Sequence, residues 1–201
     1  SCIVDHTTTS ADLAKEMNNL LSSKNINYLD APVSGGQAGA ESGQLSIMVG
    51  GRDKSYDEIK DLIKTYSKFS KHMGKSGAGQ LTKMVNQICI AGLLQGLAEG
   101  INFSEKVGLD SSDVLEVVSQ GAAQSWQMEN RWHTMLEDKF DHGFAVDLMR
   151  KDLEIVIKKA QDENITIDVT KIVNDYYKEI QKAKGGKWDT SSLYKRLKDN
   201  L

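Results

Sequence analysis

The chain has 201 residues, of which 39% are hydrophobic and 26% are charged, and its formal net charge at pH 7 is −3. This composition is ordinary for a globular protein, and the charge gives no electrostatic reason to expect nucleic acid or a membrane surface as a partner. No uninterrupted apolar run reaches the ~18 residues that span a bilayer, and no signal-peptide pattern opens the chain.

The first part of the chain alternates between strand and helix patterns. Four short apolar runs predict strands and two amphipathic stretches predict helices, in the order β-α-β-β-α-β, which implies a mixed sheet with flanking helices. A glycine-rich stretch at 34–43 predicts a turn between two of the strands. The predicted bounds are strand 2–5, helix 11–21 with Ser10 as its N-cap, strands 26–31 and 45–50, helix 53–69 and strand 70–73.

After Gly79 the strand patterns end, and one long helix is predicted from residue 80 to residue 107. Its length would be ~40 Å at ~1.5 Å per residue, and its many small residues indicate that another helix packs closely against it. The boundary between an α/β part and an all-α part is therefore predicted near residues 74–79. Shorter helices are predicted at 111–120, 124–136, 147–162, 170–184 and 190–198.

Two phosphate-binding motifs are nearly matched between Gly74 and Gly79, and both fail. A phosphate loop needs a glycine five residues before Gly74, where Phe69 stands, and its glycines precede the lysine. A dinucleotide fingerprint needs its third glycine where Thr82 stands, and an acidic residue that would bind the ribose is also missing. A serine nucleophile is disfavoured because Gly-x-Ser-x-Gly does not occur around Ser34, and the four histidines lack metal-ligand spacing.

Lys83 is the main chemical candidate. It lies in the first turn of the long helix, and Asn86 and Gln87, three and four residues further on, share its face. A lysine at such a position is usually a solvated surface residue, but the glycines before it and the apolar helix around it favour proton exchange with a substrate. Upstream, Ser34-Gly35-Gly36 is either a plain turn or a set of N–H groups and a hydroxyl that bind a carboxylate.

Four segments, in their order and spacing, resemble the β-hydroxyacid dehydrogenase family, which includes 3-hydroxyisobutyrate dehydrogenase and tartronate semialdehyde reductase. The segments are VDHTTTS (4–10), DAPVSGGQAGAESGQL (30–45), GAGQLTKMVNQ (77–87) and KDLEIVI (151–157). The resemblance covers essentially the whole chain. It implies that residues 1–78 are an α/β remnant of a Rossmann-like NAD(P)-binding domain, with a mixed sheet and flanking helices. Residues 79–201 would be an all-α substrate and oligomerisation domain built on one long helix.

The resemblance also implies a reaction, namely reversible hydride transfer between NAD or NADP and a small hydroxy acid, without a metal. By position, Lys83 matches the catalytic lysine that exchanges a proton with the substrate hydroxyl. Thr8 and Lys151 match residues beside the cofactor, and Asp152 would hold the helix of Lys151 in place. Substrate contacts are implied for Ser34, Gly35, Gly36, Asn86, Gln87 and Phe144.

One part of the family pattern, the G-x-G-x-x-G of the first strand–helix turn, does not occur in the 201 residues. We therefore expect the chain to be part of a longer protein, called the parent protein below, and expect the chain alone to bind the cofactor poorly. We also expect a homodimer or homotetramer formed through the helical domain. The two cysteines, Cys2 and Cys89, stand in apolar runs, which predicts buried free thiols and a cytoplasmic protein.

Two other functions are alternatives. An imine-reducing relative would share the fold, but such relatives usually lack the lysine, so the presence of Lys83 argues against this function. A non-catalytic oligomerisation or reader domain would not need the polar site residues, and the chain retains all of them. The residues that select one hydroxy acid over another lie outside the matched motifs, so the sequence leaves the substrate open.

Overall fold

The computed structural model describes residues 1–200 and divides the chain into two compact units. The first unit comprises Ser1–Gln87 and contains five strands, whereas the second begins at Ile88 and is helical. The predicted fold, a mixed α/β part followed by an all-α part, is confirmed. The elements of the first unit are β1 (Cys2–Asp5), α1 (Ala11–Ser22), β2 (Asn27–Asp30), β3 (Val33–Ser34), α2 (Gly36–Glu41), β4 (Leu45–Gly50), α3 (Asp53–Ile63), β5 (Ser67–Gly74) and the start of α4 (Ala78–Lys106).

The sheet of the first unit is mixed, and β4 is its central strand. β1 is parallel to β2, and β5 is parallel to β4. Both β2 and β3 pair with β4 in antiparallel fashion, Asp30 opposite Gly50 and Ser34 opposite Ser46. The two strands therefore follow one another along the same edge of β4, and the sheet fixes the path of the chain from Asp30 to Ser34.

Apolar residues on alternate positions of β4 form the centre of the first core, as the period of two in a strand requires. They pack with residues of β2 and α3 that are also buried. Ser10 caps α1 as predicted, since its hydroxyl oxygen accepts the N–H of Leu13 at 3.1 Å. The buried core residues are Leu29, Ala31, Leu45, Ile47, Val49 and Ile63.

Two predictions about the elements of the first unit were wrong in part. α3 ends at Ile63 rather than at residue 69, and β5 begins at Ser67 rather than at residue 70. The apolar spacing continues past the end of the helix, but Ser67 donates its hydroxyl to the carbonyl of Ile63 at 2.8 Å and satisfies one of the last helix acceptors. The glycine-rich stretch 34–43 is more ordered than a turn, because it contains the end of β3 and all of α2.

The second unit packs its helices around one apolar core. α7 and α8 pack against each other, and their buried residues recur at helical spacing, as on the inner faces of paired helices. All the predicted helices of this unit are present with bounds shifted by a few residues. They are the remainder of α4, α5 (Ser111–Val118), α6 (Trp126–Leu136), α7 (Val146–Asp162), α8 (Asp168–Lys182), a 3-10 helix (Thr190–Ser192) and α9 (Leu193–Asp199).

Within residues 1–200, α4 is the one helix long and apolar enough to cross a membrane, judged by length and composition alone. The sequence did not predict such a segment, because polar residues interrupt the apolar runs of this helix. The core helix of a globular protein passes the same test. Leu94, Leu97, Ala98 and Ile101 of α4 are buried in the core of the second unit, and we therefore interpret α4 as a core helix.

The two cysteines are free thiols, as predicted, but the prediction that they are buried was wrong. Cys2 is half-buried and Cys89 is exposed. Cys89 lies one turn after the exposed Val85, on the face of α4 opposite to its buried residues. Its apolar neighbours in the sequence belong to other faces of the helix.

Candidate functional site

Lys83 is buried, with only 7% of its surface exposed, so it is not the solvated surface lysine that its position alone suggested. Gln80 and Gln87, three residues before and four residues after it, are 0% and 2% exposed. These spacings put the three side chains on one face of α4. A stripe of buried polar groups thus runs along the first turns of an otherwise apolar helix. Asn86 is half-buried and donates its amide N–H to Gln87 Oε1 at 2.8 Å.

The start of α4 lies in backbone contact with the sheet. A Cβ added to Gly79 would lie 2.4 Å from the carbonyl oxygen of Met48 and 2.5 Å from that of Asp30, which no side chain could tolerate. Gly50 of β4 is equally close, since an added Cβ there would lie 2.7 Å from Gly79 N. The glycines that resembled a phosphate-binding motif therefore allow the helix of Lys83 to pack directly on β2 and β4.

Asp30, which the sequence analysis did not select, fixes the start of the same helix. Its fully buried carboxylate accepts the N–H of Gly77 at 2.8 Å and that of Gln80 at 3.1 Å. It serves as the cap of α4, although it stands far away in the sequence. Burial raises the pKa of Asp30, and the hydrogen bonds from the helix N–H groups offset only part of this effect. Its position in the DAP motif was the only signal available in the sequence.

We expect Asp30→Ala to lower the free energy of unfolding by about 2 kcal/mol, because it leaves buried N–H groups at the start of α4 without an acceptor. The loss should grow as the pH falls from 7 toward the unfolded-state pKa of about 3.9. A raised pKa means that the folded state binds the proton more tightly, so the contribution of Asp30 is largest at low pH and declines as the pH rises.

Urea unfolding followed by circular dichroism at several pH values measures both effects of the Asp30 substitution. Asp61→Ala is the matched control, because Asp61 is exposed on α3 and pairs with the exposed Lys64. Its effect should stay within about 0.5 kcal/mol. A difference between Asp30→Ala and the unmodified protein that shrinks on acidification would contradict the assignment.

The loop that carries Thr8, residues 6–10, is held in place by hydrogen bonds on several sides. The side chain of Gln80 accepts the N–H of Thr9 at 3.0 Å and donates to the carbonyl of Thr7 at 2.7 Å. Asp5 accepts the N–H of Thr7 at 2.9 Å. Thr8 itself is half-buried. The structure thus brings Thr8 to the first turn of α4, one turn from Lys83.

His6 opens this loop and fastens it to the sheet. Its Nδ1 donates to the carbonyl of Ala31 at 2.7 Å, and its Nε2 lies 3.1 Å from the hydroxyl of Tyr66. The imidazole and phenol rings meet edge to face, with centroids 5.6 Å apart. His6 is thereby engaged on both nitrogens and serves to hold the loop.

Ser34, Gly35 and Gly36 join the end of β3 to α2. Ser34 is half-buried, whereas both glycines are exposed. Gly35 and Gly36 have φ values of 134° and 60°, in the region that favours glycine. Apart from its chain neighbours and the backbone of its own helix, a Cβ added to Gly36 would meet no atom within 4 Å, so the residue borders open space. Four residues separate Ser34 from the helix cap Asp30, which limits their Cα–Cα separation to at most about 14 Å.

Phe144 and Lys151 belong to the second unit. The half-buried Phe144 packs against the core there, and its N–H donates to the carboxylate of Asp189 at 2.8 Å. Lys151 lies in α7 with its side chain 48% exposed, and its ammonium is 3.0 Å from the buried carboxylate of Asp152. The expected role of Asp152, to hold the helix of Lys151 in place, stays a prediction.

One cleft of the first unit lies away from these residues. It has a volume of about 750 Å³ and is lined by none of the predicted site residues; its walls come from α1, the start of α3 and β5, and include Lys15, Arg52, His72 and Lys75. In the part of the chain that the structure describes, no three histidine, cysteine, aspartate or glutamate side chains come together to hold a metal ion.

Two family models match the chain, and both describe nucleotide-binding proteins. Residues 1–89 match the NAD binding domain of 6-phosphogluconate dehydrogenase. Residues 77–197 match the model described as NAD-binding of NADP-dependent 3-hydroxyisobutyrate dehydrogenase. The two matches overlap over the segment that contains Lys83, and together they span nearly the whole chain.

Individual proteins agree with these matches. An uncharacterized oxidoreductase of Shewanella frigidimarina is 54% identical over 97% of this chain and 67% of its own length. The 2-hydroxy-3-oxopropionate reductase of Escherichia coli is 33% identical over 85% of this chain and 58% of its own length. Among solved structures, the 3-hydroxyisobutyrate dehydrogenase of Mycobacterium tuberculosis with L-serine has a TM-score of 0.89 and 27% identity, over 98% of this chain and 69% of that chain.

The chain thus spans 58% to 69% of the length of these relatives, and the alignment with each of them includes most of the residues of this chain. The match extends through both compact units. On the strength of the family models and the Shewanella relative, the chain belongs to the β-hydroxyacid dehydrogenase family.

Proposed function

We propose that the parent protein is an oxidoreductase that transfers a hydride reversibly between NAD or NADP and a small hydroxy acid, such as 3-hydroxyisobutyrate or 2-hydroxy-3-oxopropionate. The observation that carries this proposal is the burial of Lys83. Lys83 lies one helical turn from Gln80, whose side chain forms hydrogen bonds with the backbone on both sides of Thr8. An ammonium that is kept from bulk water beside a fixed hydroxyl-bearing loop suits proton exchange with a substrate oxygen.

The proposal gives each residue of the chain a separate task. The cofactor, when bound, accepts or supplies the hydride at its nicotinamide ring. Lys83 takes the proton from the substrate hydroxyl during oxidation and returns it during reduction. Gln87 and Asn86, bonded to each other at 2.8 Å, orient the substrate beside Lys83. Thr8 contacts the cofactor from a loop whose backbone fits that role, since hydrogen bonds hold it on both sides of Thr8.

The turn Ser34-Gly35-Gly36 is proposed to bind the substrate carboxylate. The serine hydroxyl and the backbone N–H groups of the glycines are donors, and a carboxylate is an acceptor with two oxygens. Gly36 supports this role because it borders open space on the side where a Cβ would stand. Phe144 and Lys151 stay proposals that rest on the family resemblance, with Phe144 beside the substrate and Lys151 beside the cofactor.

The names of the relatives support a short acid whose reacting carbon is close to its carboxylate. The Escherichia coli relative is named for 2-hydroxy-3-oxopropionate, and the Mycobacterium tuberculosis enzyme is described together with L-serine. Both molecules carry the oxygen function on the third carbon and the carboxylate on the first. A carboxylate site and a proton-exchanging lysine at one fixed separation would accept either of them. The homo-oligomer and the cytoplasmic location stay predictions.

A panel of acids and their methyl esters tests the proposed function. The parent protein is incubated with each compound and with each nicotinamide cofactor, and the reduced cofactor is followed by its absorbance. We expect turnover of short 3-hydroxy acids and a loss of kcat/KM of about 10- to 100-fold for the matching esters, because a charge-assisted hydrogen bond contributes about 1.5–3 kcal/mol.

Ser34→Ala should lower kcat/KM for the acids by about tenfold and change that of the esters much less. Ser23→Ala is the matched control, since Ser23 is exposed at the end of α1. Turnover of cyclic imines in place of hydroxy acids would support the imine-reducing alternative. Absence of turnover with every acid and every imine, with both cofactors, would favour a non-catalytic domain.

A further inference from the structure

Gln80 is a buried polar side chain of the first unit to which the proposed reaction gives no chemical task. It is 0% exposed, and both ends of its amide are engaged: Oε1 accepts the N–H of Thr9 and Nε2 donates to the carbonyl of Thr7. Exchanging the oxygen and the nitrogen would set a donor against a donor and an acceptor against an acceptor. The orientation of the amide is therefore determined by its partners.

The two partners of Gln80 are the backbone groups on either side of Thr8. One side chain thus fixes the peptide units before and after the residue that is proposed to contact the cofactor. The backbone of Gln80 is itself fixed, because its N–H donates to the Asp30 carboxylate at 3.1 Å. A continuous path of hydrogen bonds leads from Asp30 in the sheet through Gln80 to the Thr8 loop.

The same helix turn also determines where Lys83 lies. Gln80 and Lys83 are three residues apart in α4, so their separation is set by the geometry of the helix. In the proposed reaction Thr8 contacts the cofactor, whereas Lys83 contacts the substrate. Hydride and proton transfer require these two molecules to be held in a fixed relative position. A displacement of ~1 Å between such groups can reduce a rate by about 100-fold.

We propose that Gln80 is a positioning residue, which sets the placement of Thr8 relative to Lys83 by holding the loop Thr7–Thr9 against α4. The inference rests on the proposed function and adds to it a residue that touches neither substrate nor cofactor. A side chain that can both donate and accept at one end is required. Leucine has neither group, and an ionised glutamate has only acceptors.

Hydrogen exchange tests the contact in the 201-residue chain itself, without any assay of activity. In Gln80→Leu, the amide of Thr9 loses its acceptor, and its exchange should become at least tenfold faster, as measured by NMR. Gln161→Leu is the matched control, because Gln161 is exposed in α7. Unchanged exchange at Thr9 in a folded Gln80→Leu chain would overturn the inference.

Kinetics of the parent protein test the positioning. Gln80→Leu should lower kcat about 10- to 100-fold while KM for the hydroxy acid changes less than threefold. The measurement is made well below the unfolding temperature. If Gln80→Leu and the unmodified protein then have equal kcat values, Gln80 has only a structural role. Absence of turnover in the unmodified parent protein would overturn the proposed function and this inference together, whereas the exchange result would still report the contact.

Gln80→Glu gives a second variant in case Gln80→Leu does not fold. A protonated carboxyl can donate to the carbonyl of Thr7 and accept from Thr9 as the amide does, whereas an ionised one cannot donate. The ratio of its kcat to that of the unmodified protein should therefore rise as the pH is lowered from 8.5 to 5.5. A ratio that falls or stays below that of Gln80→Leu at low pH contradicts the proposal. Titratable groups on the surrounding elements include Asp5, His6, Lys15, Tyr28, Asp30 and Lys83.

Discussion

Lys83→Ala in the parent protein is expected to lower the rate of hydride transfer by about 10²- to 10⁴-fold, the range that a positioned acid or base contributes. Lys83 is 7% exposed and lies on the buried polar face of α4, so no solvated lysine can take its place. Substrate binding should suffer less than kcat, because the carboxylate site at Ser34 is unchanged. Single-turnover absorbance of the reduced cofactor measures the rate of the chemical step directly.

Two further variants separate proton exchange from charge. Lys83→Arg keeps a positive charge but cannot release its proton in the working pH range, so it should stay as slow as Lys83→Ala. Lys106→Ala is the matched control, since Lys106 is exposed in the last turn of the same helix. Addition of a small primary amine should recover part of the rate in Lys83→Ala alone. A rate within a few-fold of the unmodified protein would show that Lys83 is not the acid and base.

Local patterns predicted most of the fold, because the apolar period of each element agrees with its final environment. β1 and β4 have the predicted bounds, and Ser10 caps α1 as expected. The predictions failed where the apolar period of the sequence does not indicate which element forms or where it ends. The helix pattern of α3 runs on past Ile63, and only a hydrogen bond from Ser67 shows where the helix ends. The glycines of 34–43 predicted a turn, although this stretch contains a short helix.

Some residues of the candidate site could likewise be predicted from local sequence patterns, and others could not. Lys83 was accessible to sequence analysis because glycines and amides surround it within one helix turn. Asp30 and Gln80 were not, since their partners lie far along the chain: Asp30 binds the N–H of Gly77, and Gln80 binds the backbone of Thr7 and Thr9. A side chain that forms hydrogen bonds with the backbone of a distant segment produces no periodic pattern in the sequence. Such contacts can be identified only once the fold brings the segments together.

In the second unit, Asp189→Ala is expected to lower the free energy of unfolding by about 3–5 kcal/mol, the cost of removing one partner of a buried ion pair. The side chain of Asp189 is 1% exposed, and the guanidinium of Arg131 lies 3.1 Å from it. The carboxylate also accepts the N–H of Phe144 at 2.8 Å and the hydroxyl of Ser191 at 2.6 Å. All of these donors would be left without their acceptor.

Tryptophan fluorescence during urea unfolding measures this loss, and it reports on the second unit alone because Trp126, Trp132 and Trp188 all belong to that unit. Asp162→Ala is the matched control, since Asp162 is exposed in the last turn of α7 and should change stability by less than about 0.5 kcal/mol. A loss below about 1 kcal/mol for Asp189→Ala would contradict the role assigned to the carboxylate.

A double-mutant cycle shows which partner of Asp189 matters most. If the uncompensated charge of Arg131 causes the loss, the double variant Arg131→Met, Asp189→Ala should be more stable, by about 1–3 kcal/mol, than the sum of the two single changes predicts. If the orphaned backbone dominates, the effects should add, and the amide of Phe144 should exchange faster in every variant that lacks Asp189. The second result would show that the ordering of Phe144, a predicted substrate residue, depends on the buried carboxylate of Asp189.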